Sequence, residues 1–253
     1  MIRRMLLFVA CLVATLAVGG VALASGQNAY GSSLGKLANN SPSGCPMNFT
    51  DVQQGSTYYN YILALFCNGI IGGYPDNTFR PNNDVTRGQL SKIVAQSAGY
   101  TNDPGLQLFE DVLPGSTYYT PVQQLVQFGI INGYNCGGPG EPCSPQMYRY
   151  FRPNASASRG QIAKIITQAK GWFEQAQQLF QDVPMGSTFY NYVNSLYLHN
   201  AASGYPCGGA GEPCVGPGNL PYFRPNNNVT RGQISKIDAI AFFSMMLKIP
   251  GQK

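Results

Sequence analysis

One block of residues recurs three times in this chain, and the recurrence limits the fold more than any single residue does. Each copy runs Phe-x-Asp-Val, Gly-Ser-Thr, Gly-Tyr, Phe-Arg-Pro-Asn and then Ser/Thr-Arg-Gly-Gln, over 49–99, 109–171 and 180–241. The last motif reads Thr86-Arg87-Gly88-Gln89, Ser158-Arg159-Gly160-Gln161 and Thr230-Arg231-Gly232-Gln233, at a constant spacing of 72 residues. A repeat of this length is one unit that buries its apolar face against its neighbours. Three equal copies also point to equal binding surfaces or a symmetric scaffold, and away from one asymmetric catalytic constellation.

Each copy reads as helix, irregular loop, helix. In the first, Ser56 or Thr57 is placed to cap a helix whose Tyr58, Ile62, Leu65 and Phe66 share a face. Gly69 and the Gly72-Gly73 pair end it, and the turn-rich run 74–82 excludes a helix. Thr86 opens a second helix, with Gln89 completing a capping box and Leu90, Ile93 and Val94 forming a narrow apolar face. The pairs Ser158/Gln161 and Thr230/Gln233 repeat the box. In the third copy Asp238 replaces an apolar residue, so that turn packs differently or is exposed.

Residues 1–24 read as a signal peptide, with Arg3 and Arg4 before an apolar stretch that ends in Ala22-Leu23-Ala24. A retained membrane anchor is the competing reading. Residues 25–44 read as a flexible leader rich in Gly, Ser and Asn, followed by repeats at 45–103, 104–174 and 175–241 and a tail at 242–253. On this reading no cargo domain is expected beside the repeats.

Past the signal, six cysteines form three expected disulfides. Cys136–Cys143 and Cys207–Cys214 bound two near-identical loops, and Cys45 pairs with Cys67 by elimination. With one histidine, His199, zinc is the weaker reading, and neither metal nor cofactor is expected. An Asp76, Asn82 and Asp84 calcium reading is weak, because the two acids do not recur.

Removing Arg3 and Arg4 from the 16 Lys plus Arg leaves 14 against 11 Asp plus Glu, too little and too dispersed for a nucleic-acid footprint. Nine of those 14 cations are nevertheless triplicated, as Arg80/152/224, Arg87/159/231 and Lys92/164/236. That concentration points to an anionic partner. Arg87, Arg159 and Arg231 fall at the first helical position, beside unpaired N–H groups where a bound carboxylate or phosphate is favoured. The alternative is an internal ion pair with Asp51, Asp111 or Asp182. Tyr74, Tyr134 and Tyr205, in a loop between two helices, read either as packing or as ring faces and hydroxyls offered to a sugar, whereas Tyr58, Tyr118 and Phe189 read as core. Catalysis by paired carboxylates is disfavoured, since Asp51, Asp111 and Asp182 are the only acids present in all three copies. The sequons at Asn48, Asn154 and Asn228 are common by chance.

Together, Phe-x-Asp-Val, Gly-Ile-Ile-x-Gly-Tyr, Thr-Phe-Arg-Pro-Asn and Thr-Arg-x-Gln closely resemble the S-layer homology domain across 49–241. The resemblance implies a mainly α fold of three helix-loop-helix repeats in a pseudo-threefold arrangement around a central three-helix bundle. It implies a secreted protein of the bacterial cell wall that anchors noncovalently to an acidic, commonly pyruvylated, secondary cell-wall polysaccharide. The alternative is a structural envelope protein that associates with itself or with another surface protein. By resemblance the motif arginine, here Arg87, Arg159 and Arg231, contacts the ligand. This chain departs from the family pattern with Gln for Glu at 89, 161 and 233 and Gly for Ala at 88, 160 and 232. Its third copy carries Asn200-Ala201-Ala202-Ser203 where the others have Gly-Ile-Ile, so that groove is expected to be the weakest.

Overall fold

The computed structural model describes residues 45–102, 105–216 and 218–244; the signal peptide, the leader and most of the tail assigned above lie outside them. The described residues form six helices and no strand. They are α1 (Tyr59–Cys67), α2 (Arg87–Ser97), α3 (Tyr119–Gln127), α4 (Arg159–Lys170), α5 (Tyr190–Leu198) and α6 (Arg231–Phe243).

The helices α2, α4 and α6 open with the same box. Thr86, Ser158 and Thr230 accept from the backbone N–H of Gln89, Gln161 and Gln233, whose side chains accept the N–H of the cap residue in return. The other three helices begin differently from the expected Ser56 or Thr57 cap. Tyr58 is the N-cap of α1 and makes no side-chain bond, because successive turns lead the chain in and the Ser56 carbonyl accepts from Tyr59 N–H. Helix α1 ends as Gly69 turns left-handed, and Asn200 takes the same conformation at the end of α5, where a short polar side chain is tolerated.

Packing runs between repeats. Helix α3 lies on α2, α5 on α4 and α1 on α6, while α2, α4 and α6 pack against one another. Val85 N–H donates to Val229 O, Val229 to Ala157 O, and Ala157 to Val85 O, at 2.8, 3.1 and 2.9 Å. Those contacts close on themselves, so the third repeat completes the first. All three residues are fully buried.

The recurring glycine after each arginine marks the tightest of these approaches. A methyl group at Gly88 would sit 2.6 Å from the Tyr118 ring, at Gly160 2.4 Å from Phe189, and at Gly232 2.5 Å from Tyr58. Alanine at these positions, as in the family pattern, would not fit beneath rings placed this close.

The triplicated aspartate has a local task. Asp51 accepts from Phe79 and Arg80 N–H, both at 2.7 Å; Asp111 and Asp182 do the same for Phe151/Arg152 and Phe223/Arg224. Each clamp holds an arginine at φ 60°, a conformation that costs a non-glycine residue about 1–2 kcal/mol. All three expected disulfides form, with Cα–Cα separations of 5.8, 5.0 and 5.0 Å. Asp238 is fully buried where α2, α4 and α6 meet, not exposed, and accepts from Ser97 Oγ at 2.5 Å.

Candidate binding site

The helix starts cannot take an anion on their backbone. Arg87 and Gly88 N–H donate to Ala155 O and Pro153 O of the next repeat, and Gln89 N–H goes to the Thr86 hydroxyl. The other two starts are satisfied in the same way, by Asn227 and Pro225 and by Asn83 and Pro81. The sequence expectation of unpaired N–H groups therefore fails, because the neighbouring repeat supplies carbonyls that no local pattern shows.

The arginines themselves are nearly enclosed, at 8, 7 and 8 % exposure for Arg87, Arg159 and Arg231. Their Nε atoms donate to Phe151 O, Phe223 O and Phe79 O at 2.8, 2.7 and 2.8 Å. The expected ion pairs with Asp51, Asp111 and Asp182 do not form among the described residues, since those carboxylates are spent on backbone N–H groups. Burial pulls all three arginines below their usual range, while nearby tyrosines and the aspartates act in the opposite sense. A guanidinium stays charged through such a shift.

Each Gly-Tyr ring gathers two arginines. The Arg231 guanidinium lies 5.1 Å from the Tyr74 ring centre and that of Arg80 3.9 Å. Arg87 and Arg152 meet Tyr134 at 5.0 and 3.9 Å, and Arg159 and Arg224 meet Tyr205 at 5.1 and 3.8 Å. Such cation–aromatic contacts strengthen when desolvated.

The outer arginine of each pair is neutralised, and the disulfide loops do the neutralising in two copies. Glu141, in the Cys136–Cys143 loop, binds Arg152 with both oxygens at 2.6 and 2.8 Å, and Glu212 binds Arg224 at 2.6 and 2.7 Å. The first copy has no such loop and uses Asp76, 2.9 Å from Arg80. Hydrogen bonds to Thr78 and Arg80 hold the Asp76 carboxyl at about 2. The sequence reading gave Glu141 and Glu212 no role and Asp76 only a weak calcium reading. The shared Gly-Glu-Pro of both loops was the signal for two of them.

One of these clusters opens into a groove of about 360 Å³, to which all three repeats contribute. The first supplies the loop from Gly69 to Gly72 together with Gln89 and Lys92, the second Thr117 and Tyr118, and the third Arg231. Its lining holds two cations and no carboxylate. Arg231 is fixed at its rim by a second bond, Nη2 to Gly72 O at 3.2 Å. Tyr118, read from sequence as core, both covers Gly88 and lines this groove. Lysine placement separates the copies. Lys164 and Lys236 lie 5.8 and 5.9 Å from the rings of Tyr192 and Tyr61, whereas Pro121 takes that helix position opposite Lys92. Among the described residues Lys92 has no aromatic or acidic partner.

Comparison with known proteins agrees with this architecture repeat by repeat. A sequence profile described as the S-layer homology domain matches residues 48–91, 108–163 and 179–234. The chain is 26 % identical over 196 residues, 75 % of its length, to an endoglucanase of Bacillus sp. (strain KSM-635), covering 18 % of that protein. It is 28 % identical over 124 residues, 48 % of its length, to a surface-layer 125 kDa protein of Lysinibacillus sphaericus, covering 10 % of it. The chain thus spans less than a fifth of the length of either relative.

Proposed function

Because this chain belongs to the S-layer homology domain family, a family of noncatalytic cell-surface anchoring modules, we propose that its open groove binds an acidic secondary cell-wall polysaccharide. It is a secreted protein of the cell surface. The observation that carries the proposal is the groove lining, where Arg231 and Lys92 stand with Gln89 and Tyr118 and no carboxylate. A carboxylate-bearing sugar, such as a pyruvyl ketal, meets two positive charges there, and its ring and hydroxyls meet the tyrosine and the glutamine. By the repeat, the corresponding groups of the other two copies are Arg87 with Lys164, Gln161 and Phe189, and Arg159 with Lys236, Gln233 and Tyr58. Glycoside hydrolysis would need two carboxylates flanking the bond to be broken, and the groove has none to offer. No described helix is long and apolar enough to cross a membrane.

Matches to an endoglucanase and to a surface-layer protein suit a module that serves different partners. The test is co-sedimentation of purified protein with native sacculi, before and after mild-acid removal of pyruvyl groups. Binding that vanishes with the acidic groups supports the proposal. Binding that survives their loss overturns it, and self-association without glycan would favour a structural envelope role.

A further inference from the structure

A second cleft, of about 240 Å³, lies between the end of α4 and the start of α5, and none of its lining side chains is charged. Trp172, Phe173 and Tyr192 supply aromatic surface, while Gln175, Asn191 and Ser187 supply amides and a hydroxyl. Its walls are fixed before any ligand arrives. Gly171 turns left-handed after α4, and Trp172 N–H donates back to Thr167 O at 2.9 Å. The indole stacks on His199 at 3.8 Å with the rings 4° from parallel, and His199 is held by Glu174 at 2.6 Å. Phe173 is left 64 % exposed beside it. The Ser187 hydroxyl oxygen is buried with no hydrogen-bond partner, and leaving such a group unpaired is costly.

We propose that this cleft is a second glycan subsite, taking an uncharged sugar ring with Trp172 and Tyr192 as its platform. It rests on the wall-glycan reading above, which it extends from one acidic sugar to a length of chain. A sugar brings an apolar C–H face to the aromatic rings and hydroxyls to Asn191, Gln175 and Ser187. An apolar peptide segment would leave those polar groups unpaired. One triplicated cation of the second copy stands beside the cleft. Lys164 Nζ lies 5.8 Å from the Tyr192 ring, and Gln161, which donates to the Tyr134 hydroxyl at 3.3 Å, precedes Lys164 by three positions on the same face of α4. From Gln161 to Lys170 the helix rises about 14 Å, and at that far end Lys170 Nζ lies 5.6 Å from the Trp172 ring centre without lining the cleft.

Trp172 is the only tryptophan in the chain, so its emission reports on this cleft alone. The intact protein is titrated with N-acetylglucosamine, N-acetylmannosamine and galactose, and in parallel with N-acetyl-leucinamide as an apolar peptide probe. A saturable change with at least one sugar is expected. It should persist in Lys92→Glu and weaken at least fivefold in Asn191→Ala and Tyr192→Ala, with folding of each variant checked by circular dichroism. No saturable response to any sugar, an undiminished response in both cleft variants, or a response to the peptide probe alone overturns the subsite. Sacculus binding that persists without a sugar response removes the subsite and spares the acidic groove. The reverse pattern removes the acidic groove and spares the subsite.

Discussion

Arg231 in the third repeat donates through Nε to the carbonyl of Phe79 in the first, 152 positions away in sequence and 2.8 Å away in space. The bond closes the cycle of repeats, and the same guanidinium reaches the rim of the candidate groove. The structural role and the proposed binding role therefore fall on one side chain. Arg231→Ala should cost about 1.5–3 kcal/mol, the range for a lost charge-assisted hydrogen bond. For a domain of this size that is a fall in Tm of several degrees. Differential scanning calorimetry measures it, and an unchanged midpoint would remove the structural role.

Gly88→Ala should destabilise the protein even though alanine favours a helix by about 1 kcal/mol over glycine. The added methyl would lie 2.6 Å from the Tyr118 ring, and overpacking of this kind typically costs about 1–3 kcal/mol. A double-mutant cycle with Tyr118→Ala tests the cause, since the penalty should largely disappear when the ring is gone. Equal penalties in both backgrounds would place the strain elsewhere.

Asp238 sets an expected pH dependence. Burial pushes its carboxyl from 3.8 up to about 8, only partly offset by Ser97 and by Lys170, the groups that face it from α2 and α4. The folded state thus holds a proton that the unfolded chain releases near pH 4. This contribution is fully present below about pH 4, falls by up to about 1.4 kcal/mol per pH unit, and is lost as pH rises through about 8. Denaturant melts from pH 4 to 9 should show a decline that Asp238→Asn flattens. Parallel profiles for the two proteins would contradict it.

The disulfide loops present Glu141 and Glu212 to the outer arginines. Replacing Cys136 and Cys143 with serine should lower stability by up to about 2.5 kcal/mol on the chain-entropy account of an eight-residue loop. It should also loosen Glu141 from Arg152, seen as a rise of the Glu141 carboxyl toward its ordinary range in an NMR titration, because Arg152 is what holds it down. A Glu141 titration unaffected by loss of the bridge would show that the loop does not position the acid.

Much of the fold was legible because its signals are local. Thr86 and Gln89 carry a capping box at fixed spacing, Leu90, Ile93 and Val94 mark a buried face, and the paired loops show their cysteines. What stayed hidden lies between repeats. The partner of Arg87 Nε is Phe151 O, 64 positions on, and the N–H groups of the helix start are taken by Ala155 and Pro153. No pattern within one copy reports a carbonyl supplied by the next. The aspartates misled for a related reason. Asp51 sits near the arginines in the motif, yet its oxygens serve Phe79 and Arg80 N–H, a task set by the left-handed Arg80 backbone. The Trp172–His199 stack repeats one in the preceding copy, where Tyr100 and Phe128 stack at 4.1 Å, but the residue types differ between copies, so the pairing does not show in the motifs.

The central claim is that the groove shared by Lys92 and Arg231 reads an anion on the wall glycan. Because Arg231 also supports the fold, Lys92→Glu is the cleaner probe, reversing a charge in the lining without touching the ring-closing contacts. The deciding measurement is its dissociation constant for purified wall polysaccharide, by isothermal titration calorimetry at fixed ionic strength and beside a matched Tm. Binding at least tenfold weaker than wild type, with an unchanged Tm, is the predicted result. Unchanged affinity in a correctly folded Lys92→Glu protein would contradict it.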